Sequence, residues 1–279
     1  MKTIGIFLNQ QKDPDCAFTR LVIERLSRHD CKILLPERYR EVLAGFEKVD
    51  FSSRKERLAR ADFMLALGGD GTILSIAGLC AEKGIPVLGI NIGTVGFMSE
   101  IEKDELDRLD QLFTGKYTLE DRMMIETNVS GKKTLFSLNE CCISRDHGFH
   151  ILTLELYLGE EKLCDFKADG VIFSTPTGST GYSFSAGGAL VDSRLDCIGV
   201  KAICPYLLNN SHHLVFHPDT VLKVKNIATK SGRLYASSDG REEVTLSEGD
   251  ELTIRKAPIS LKVIRFSEKI NLHAFFRKF

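Results

Sequence analysis

The chain has 279 residues, of which 43% are hydrophobic, and this length favours two domains, each with its own core. Lys and Arg number 37 against 38 for Asp and Glu, so the formal net charge of −1 gives no basic field for nucleic-acid binding. No apolar run reaches about 18 residues, and the apolar start is too short for a signal peptide, so we expect a cytoplasmic protein without a membrane partner.

The first 115 residues alternate segments that are typical of strands and helices. Apolar runs predict strands at 2–8, 31–35, 63–67 and 86–90. Apolar residues at helical spacing predict helices at 15–28, 72–83 and 104–113. This alternation predicts an α/β domain over 1–115, Rossmann-like, with helices on a parallel sheet. Two glycine turns, at 68–71 and 93–96, follow strands and should lie at the carboxyl edge, where such sheets bind ligands.

The pattern changes near Lys116. From there to 266 the segments are short, rich in β-branched residues and often alternating, with turns such as Ser130-Gly131-Lys132. This predicts a second, mostly β domain over 116–266. Apolar residues at helical spacing in 267–279 predict a C-terminal helix that packs back on the first domain.

The first glycine turn carries the clearest chemical signal. A predicted strand runs into Gly68-Gly69-Asp70-Gly71-Thr72, where a helix opens. Such a turn offers backbone N–H groups and the positive end of a helix dipole to a phosphate, and its glycines permit close approach. We therefore predict phosphate binding at Gly68, Gly69, Gly71 and Thr72. Asp70 would repel phosphate unless it meets a substrate hydroxyl or a metal ion.

Four other segments have an ordinary and a functional interpretation, and one of them, 93–98, is explained equally well as a structural turn and as a ligand contact. The loop from Asp169 to Gly188 is rich in hydroxyl groups and glycine, which bind sugars, phosphates or an adenine edge, although it could be a plain loop. Asn139 suits a base edge and Glu140 a ribose diol, although a simple turn is the commoner explanation of such a pair. Ser238-Asp239-Gly240 predicts a hairpin turn.

Metal-binding patterns are weak. The eight cysteines include no Cys-x-x-Cys pair, and His212, His213 and His217 have no Cys or carboxylate at the usual ligand spacing. We therefore expect reduced thiols and no metal site built from protein ligands alone.

Taken in order and spacing, these motifs resemble the NAD kinases, which transfer a phosphoryl group from ATP to the 2′-hydroxyl of the adenosine ribose of NAD. The matching segments are 68–72, 91–97, 139–140, 169–188 and 238–240. The glycine turn alone is not specific, because diacylglycerol and sphingosine kinases and phosphofructokinases have close relatives of it. The stretch 174–182, followed by 185–188, is much more specific.

The resemblance implies the NAD kinase/diacylglycerol kinase-like fold, with Asp70 as the base for the ribose hydroxyl. It also implies ATP as the donor, a divalent metal ion such as Mg²⁺, and a homodimer or homotetramer. The NAD-binding residues that it implies are Asp70, Gly71, Asn139, Glu140, Lys167, Asp169, Thr180, Gly181, Tyr182, Ser183, Phe184 and Ser185.

The chain departs from the family pattern at three places. Gly181 stands where the family usually has Ala, and Ala189 where it usually has Pro. Tyr206 and Leu207 replace a His and a Ser. A lipid kinase of the diacylglycerol type and a non-enzymatic NAD(P)-binding regulator are the alternative hypotheses.

Overall fold

The computed structural model describes residues 1–93, 96–145, 151–206, 212–228 and 234–267. The chain divides into two units, Met1–Asp121 with the residues from Ser260 onward, and Arg122–Ile259. The domain extents expected from the sequence, 1–115 and 116–266, stay predictions. The helix expected at 267–279 lies outside the described residues, apart from Ser267.

The first unit contains a parallel sheet with helices. Its strands are β1 (Lys2–Leu8), β2 (Cys31–Pro36), β3 (Val49–Ser52), β4 (Phe63–Gly68), β5 (Val87–Asn91) and β6 (Ile101–Glu102). Its α-helices are α1 (Ala17–Leu26), α2 (Arg54–Arg60), α3 (Asp70–Lys83) and α4 (Gln111–Thr114). The strand order is β5-β4-β1-β2-β3, every pair is parallel, and β6 pairs with β5. The predicted parallel α/β sheet is confirmed.

The central strands of the first unit's sheet are buried on both faces, as continuous apolar strands require. Every residue of β4 and β5 is buried. Val22 and Ile23 of α1 share a core with Ile4 and Leu65 of the strands. Removal of these side chains from water stabilises the sheet by roughly 1.5–3 kcal/mol for each large one.

Sequence reasoning missed β3 and α2 of the first unit, as well as the two-residue strand β6 and a 3₁₀ turn at Glu37–Tyr39. The strand β3 is short and only partly apolar, and α2 is strongly charged, so neither shows a clear hydrophobic period. A capping box begins α2, because Ser53 Oγ accepts the Glu56 N–H at 3.3 Å and Glu56 Oε2 accepts the Ser53 N–H at 2.8 Å. The Ser-x-x-Glu pattern at 53–56 could therefore have predicted the start of α2 from the sequence.

The helix predicted over 104–113 is shorter and less regular than expected. A 3₁₀ segment, Leu106–Asp110, leads into α4, which stops at Gly115. Gly115 has φ of +72°, the left-handed conformation in which glycine commonly ends a helix. None of the helices among the described residues is long and apolar enough to cross a bilayer.

The second unit is built from antiparallel strands. They are β7 (Thr118–Val129), β8 (Lys133–Ser137), β9 (Glu140–Arg145), β10 (Leu152–Leu158), β11 (Glu161–Ala168), β12 (Gly170–Ser174), β13 (Ile198–Ile203), β14 (Leu214–Phe216), β15 (Leu222–Ala228), β16 (Leu234–Ser238), β17 (Glu242–Leu246) and β18 (Glu251–Arg265). The strands β7 and β18 each cross the division between the units. The predicted mostly β region is confirmed.

Two antiparallel arrays form the core of the second unit. One has the order β14-β13-β12-β9-β16-β17, and the other is β11-β10-β15-β18. Ile143 and Val171 of the first array share a hydrophobic core with Leu154 and Val224 of the second. A 3₁₀ turn, Thr177–Thr180, and the single helical turn α5 (Tyr182–Ser185) follow β12.

The strand register positions the motifs within each unit. Gly68 pairs with Asn91 in the parallel ladder of β4 and β5, so both glycine turns leave the sheet at one edge, as predicted. In the second unit β9 lies between β12 and β16, with Glu140 beside Ser174 and Cys141 beside Ser238. The register therefore brings three separate motifs to one end of that sheet.

A buried ion-pair network stabilises the chain just after the second glycine turn. The Glu100 side chain is 1% exposed and accepts hydrogen bonds from Arg108 at 2.7 Å and Arg265 at 3.4 Å. Each arginine has a second carboxylate partner, Glu105 at 3.1 Å for Arg108 and Glu120 at 2.7 Å for Arg265.

We predict that Glu100→Gln lowers the free energy of unfolding by about 3 kcal/mol, because removal of one partner leaves buried charge poorly compensated. The matched control is Glu105→Gln, which pairs with the same Arg108 but is 38% exposed and should cost less than about 1 kcal/mol. Urea unfolding followed by far-UV circular dichroism measures both. Equal losses for the two variants would show that burial does not set the strength of this network.

Candidate active site

The first glycine turn is closed by its own threonine. The Thr72 side chain is buried, and its Oγ1 accepts the Gly69 N–H at 3.2 Å. A Cβ added at Gly68 would overlap Thr72 Oγ1 and lie 3.1 Å from Asn9 Cβ. Only glycine therefore fits at position 68, where β4 ends before α3.

The Asp70 carboxylate accepts two hydrogen bonds from the backbone at the end of the second glycine turn. Its Oδ2 accepts the Phe97 N–H at 2.8 Å, and its Oδ1 accepts the Met98 N–H at 3.0 Å. A Cβ added at Gly96 would lie 3.0 Å from Asp70 Oδ1 and 2.9 Å from Ser99 Oγ, so this close approach needs glycine. The two backbone donors orient the carboxylate and stabilise its negative charge. Thr94 and Val95 of this turn lie outside the described residues.

In the second unit, Asp239 holds the segment that carries Asn139 and Glu140. Asp239 Oδ1 accepts the N–H groups of Asn139 at 2.8 Å and Glu140 at 3.1 Å, and Oδ2 accepts that of Leu138 at 2.9 Å. Its own N–H donates to Glu140 O at 3.0 Å. Asp239 has φ of +49°, a left-handed conformation that Asp tolerates better than most residues. The predicted hairpin turn is confirmed, and it also serves as a clamp.

The other side of the same segment is held by the loop after β12. The Thr175 N–H donates to Asn139 O at 2.9 Å, and Thr175 Oγ1 donates to Leu138 O at 2.6 Å. A Cβ added at Gly178 would overlap the Asn139 backbone, so the 3₁₀ turn packs directly on it. The backbone of 138–140 is thus fixed from both sides.

This fixed backbone presents two polar atoms without internal partners. Asn139 Oδ1 and Glu140 Oε2 are buried and accept no hydrogen bond within the described part of the chain. Buried polar atoms in proteins nearly always have a partner, so this pair is a candidate position for a polar ligand.

The carboxyl groups here are electrostatically unusual. Burial raises the pKa of Glu140 to about 7, the nearby Asp239 carboxylate adds to this, and a hydrogen bond from the Tyr182 N–H opposes it. Burial also raises the pKa of Asp239, against the effect of the three backbone N–H groups that it accepts.

The residues 180–185, which begin at the end of the 3₁₀ turn after β12, differ in how far their side chains are buried. A Cβ added at Gly181 would lie 3.2 Å from Glu140 Oε2, so the usual family Ala would be tight here and glycine leaves room beside the carboxylate. Ser183 is fully buried, and its Oγ has no partner among the described residues. Tyr182 and Phe184 are 45% and 37% exposed, while Thr180 is half-buried and Ser185 exposed.

Lys167 and Asp169 lie at the opposite end of β12 from Asn139 and Glu140. Asp169 forms an ion pair with Arg145 at 2.9 Å, and the Lys167 carbonyl accepts the Tyr206 N–H at 2.8 Å. Burial raises the pKa of the Tyr182 hydroxyl most, and the charges of Cys142, Cys204, Asp169 and Glu140, in that order, raise it further. Tyr206 is 69% exposed, and Leu207 lies outside the described residues.

Comparison with known families decides among the hypotheses. The ATP-NAD kinase N-terminal domain matches residues 4–117, and the ATP-NAD kinase C-terminal domain matches residues 138–266. The chain belongs to the NAD kinase family. It is therefore a phosphotransferase with an alcohol acceptor, and both alternatives, the lipid kinase and the non-enzymatic regulator, are set aside.

Relatives of this NAD kinase match it over nearly their whole length. It is 35% identical over 274 residues to the NAD kinase of Natranaerobius thermophilus, covering 96% of this chain and 94% of the relative. It is 32% identical to the NAD kinase of Heliobacterium modesticaldum, covering 99% of this chain and 96% of the relative.

Solved structures support the fold. The yeast NADH kinase complexed with NADH has a TM-score of 0.89 at 21% identity, with 99% of this chain and 86% of that chain covered. An NAD kinase from Archaeoglobus fulgidus in complex with ATP has a TM-score of 0.75 at 22% identity, with 100% and 98% covered. The predicted NAD kinase-like fold is confirmed.

We predict that Asp239→Asn weakens the hydrogen bonds that hold the 138–140 segment. In the variant each backbone N–H faces either an NH₂ group, which cannot accept its hydrogen bond, or a neutral oxygen, which accepts it more weakly than a carboxylate. The free energy of unfolding should fall by about 2 kcal/mol, the value of a buried hydrogen bond to charge. The control is Asp219→Asn, whose side chain is 83% exposed and should change stability by less than about 0.5 kcal/mol. Amide hydrogen exchange at Leu138, Asn139 and Glu140 reports the local effect, and unchanged protection there would argue against the clamp.

Proposed function

We propose that Asp70 is the base in the reaction of this NAD kinase, which transfers the γ-phosphoryl group of ATP to the 2′-hydroxyl of the adenosine ribose of NAD and gives NADP. The main support for this assignment is the position of the Asp70 carboxylate. It lies at the start of α3 and is oriented by the Phe97 and Met98 N–H groups. The ATP and NADH bound in the two related structures support this choice of substrates.

The chemical step follows from that geometry. A ribose hydroxyl is a poor nucleophile at neutral pH, and a fixed carboxylate within hydrogen-bond reach orients it and accepts its proton. The ribose oxygen forms a bond to the γ-phosphorus while the bond from that phosphorus to the β,γ-bridging oxygen breaks, and ADP leaves. Such transfer depends mainly on positioning and on the neutralisation of charge.

The phosphate groups are assigned to the turn from Gly68 to Thr72. The 14 residues of α3 direct the positive end of the helix dipole toward this turn. Because the Thr72 hydroxyl accepts the Gly69 N–H, we assign Thr72 to the shape of the turn. Gly68, Gly69 and Gly71 then allow phosphate to approach the backbone.

The dinucleotide is assigned to the second unit. The buried Asn139 Oδ1 and Glu140 Oε2 suit donors on a base and on a ribose. The exposed ring of Tyr182 suits stacking on a base. The remaining proposed NAD-binding residues are Asp70, Gly71, Lys167, Asp169, Thr180, Gly181, Ser183, Phe184 and Ser185.

The oxygen ligands available near the first glycine turn suit a divalent ion that arrives bound to the nucleotide. Within the described part of the chain, no group of three His, Cys, Asp or Glu could form a protein cage for a metal ion. Mg²⁺ at such sites usually takes one or two carboxylates together with substrate phosphates. We assign Asp70 and the ATP phosphates to hold Mg²⁺, which neutralises phosphate charge when bound.

We further propose that the enzyme acts in the cytoplasm as a homodimer or homotetramer, without a nucleic-acid or membrane partner. The net charge of −1 supports the lack of a nucleic-acid partner. Sedimentation equilibrium of the purified chain tests the assembly.

We predict that Asp70→Asn lowers the rate of NADP formation by roughly 10²–10⁴-fold, because the amide cannot accept the ribose proton. NAD affinity, measured by calorimetry, should fall far less than turnover, because the other proposed NAD-binding residues are unchanged. Asp62→Asn is the matched control, since Asp62 also accepts a backbone N–H, from Thr3 at 2.7 Å, but lies away from the turn. Wild-type turnover by Asp70→Asn would exclude Asp70 as the base.

We predict that NAD affinity rises with pH and levels off above about pH 7, where Glu140 loses its proton. The ribose hydroxyls donate to the carboxylate, so below this pKa each binding event must release a proton. Affinity at pH 6 should be about tenfold lower than at pH 8. Calorimetry in buffers of different ionisation enthalpy counts the protons. In Glu140→Gln both effects should vanish, and persistence of either would assign the titration to another group.

A further inference from the structure

A lysine that the motifs do not include extends to both glycine turns. A Cβ added at Gly69 would lie 2.8 Å from Lys12 Nζ, and one added at Gly93 would lie 2.5 Å from it. The ammonium group therefore lies against the bare backbone of both turns, beside the start of α3.

The backbone of Lys12 is firmly positioned. The Asn9 N–H donates to Leu67 O at 2.9 Å, which ties the end of β1 to β4, and the Lys12 N–H donates to Asn9 O at 3.1 Å. The next residue, Asp13, is 4% exposed and accepts the N–H groups of Phe18 at 3.0 Å and Thr19 at 2.9 Å. This turn fixes the point from which the lysine side chain extends.

The fold does not use the charge of Lys12. Its side chain is exposed, and in the described ranges its ammonium has neither a hydrogen bond nor an ion pair. Lys132, by contrast, forms an ion pair with Asp250 at 2.5 Å. A cation that extends from a positioned backbone over two glycine turns, without an acidic partner among the described residues, is suited to an anionic ligand.

We propose that Lys12 contacts the phosphate groups of the donor nucleotide and is a catalytic residue of the transfer. This rests on the proposed function, in which the glycine turn binds those phosphates. A lysine supplies a compact positive charge to phosphate oxygens, and charge on the transferred group is what such a site must stabilise. The bare backbone at Gly69 and Gly93 leaves the space that the ammonium needs.

The main test compares Lys12→Met, which keeps length and removes charge, with Lys12→Arg, which keeps charge. With NAD saturating, kcat/KM for ATP should fall by roughly 100-fold in Lys12→Met and by less than about tenfold in Lys12→Arg. The KM for NAD should be unchanged. Lys55→Met, an exposed lysine on α2, is the matched control and should behave as wild type.

A binding measurement separates this proposal from the reaction itself. Calorimetric titration of Mg-free tripolyphosphate, without NAD, should show weaker binding to Lys12→Met than to wild type or Lys55→Met. Because Lys12 is exposed, all variants should melt at nearly the same temperature. If wild type forms no NADP, the proposed function fails, and the tripolyphosphate comparison still decides on Lys12. If Lys12→Met matches wild type in both assays, the Lys12 proposal is wrong.

Gly93→Ala gives a second test, since its Cβ would displace the ammonium while the backbone, which has no positive φ, accepts Ala. Its loss in kcat/KM for ATP should be large in wild type and small in the Lys12→Met background. Equal losses in the two backgrounds would mean that Gly93 acts independently of Lys12, against the proposed geometry.

Discussion

The parallel pairing of β4 with β5 is the constraint on which the first cluster depends. It places Gly68 beside Asn91, so two turns that are 25 residues apart leave the sheet together, and Asp70 of one can accept the Phe97 and Met98 N–H groups of the other. The close approach requires Gly96, because a Cβ there would meet the carboxylate. The glycines are thus explained by contacts within the protein before any ligand is considered.

Sequence reasoning recovered the parts of the fold that local patterns encode. The apolar runs of β1, β4 and β5 and the alternating strands of the second unit carry their own periodicity, and the order of the motifs pointed to the family. The charged helix α2 was missed because its stability comes from a capping box and packing. The fold class was predictable, whereas irregular helices and the ends of elements were not.

The candidate residues were predictable as types, but their partners were not. Nothing near Asp239 in the sequence indicates that its carboxylate will meet backbone N–H groups 99 to 101 positions away. The same holds for Lys12, whose relation to Gly69 and Gly93 arises only when β1 pairs with β4. Long-range register decides these contacts, and a single sequence does not display it.

An aspartate that accepts hydrogen bonds from backbone N–H groups occurs at each place to which we assign a chemical role. Asp13 accepts backbone N–H groups at the start of α1, Asp70 those of the second glycine turn, and Asp239 those of the 138–140 segment. A carboxylate that accepts several N–H groups fixes a loop strongly, because each bond is charge-assisted. Only Asp70 is also proposed to meet substrate. The other two aspartates act by holding the backbone from which Lys12, Asn139 and Glu140 project, so the precision of the proposed site depends on carboxylates that do not touch the reacting atoms.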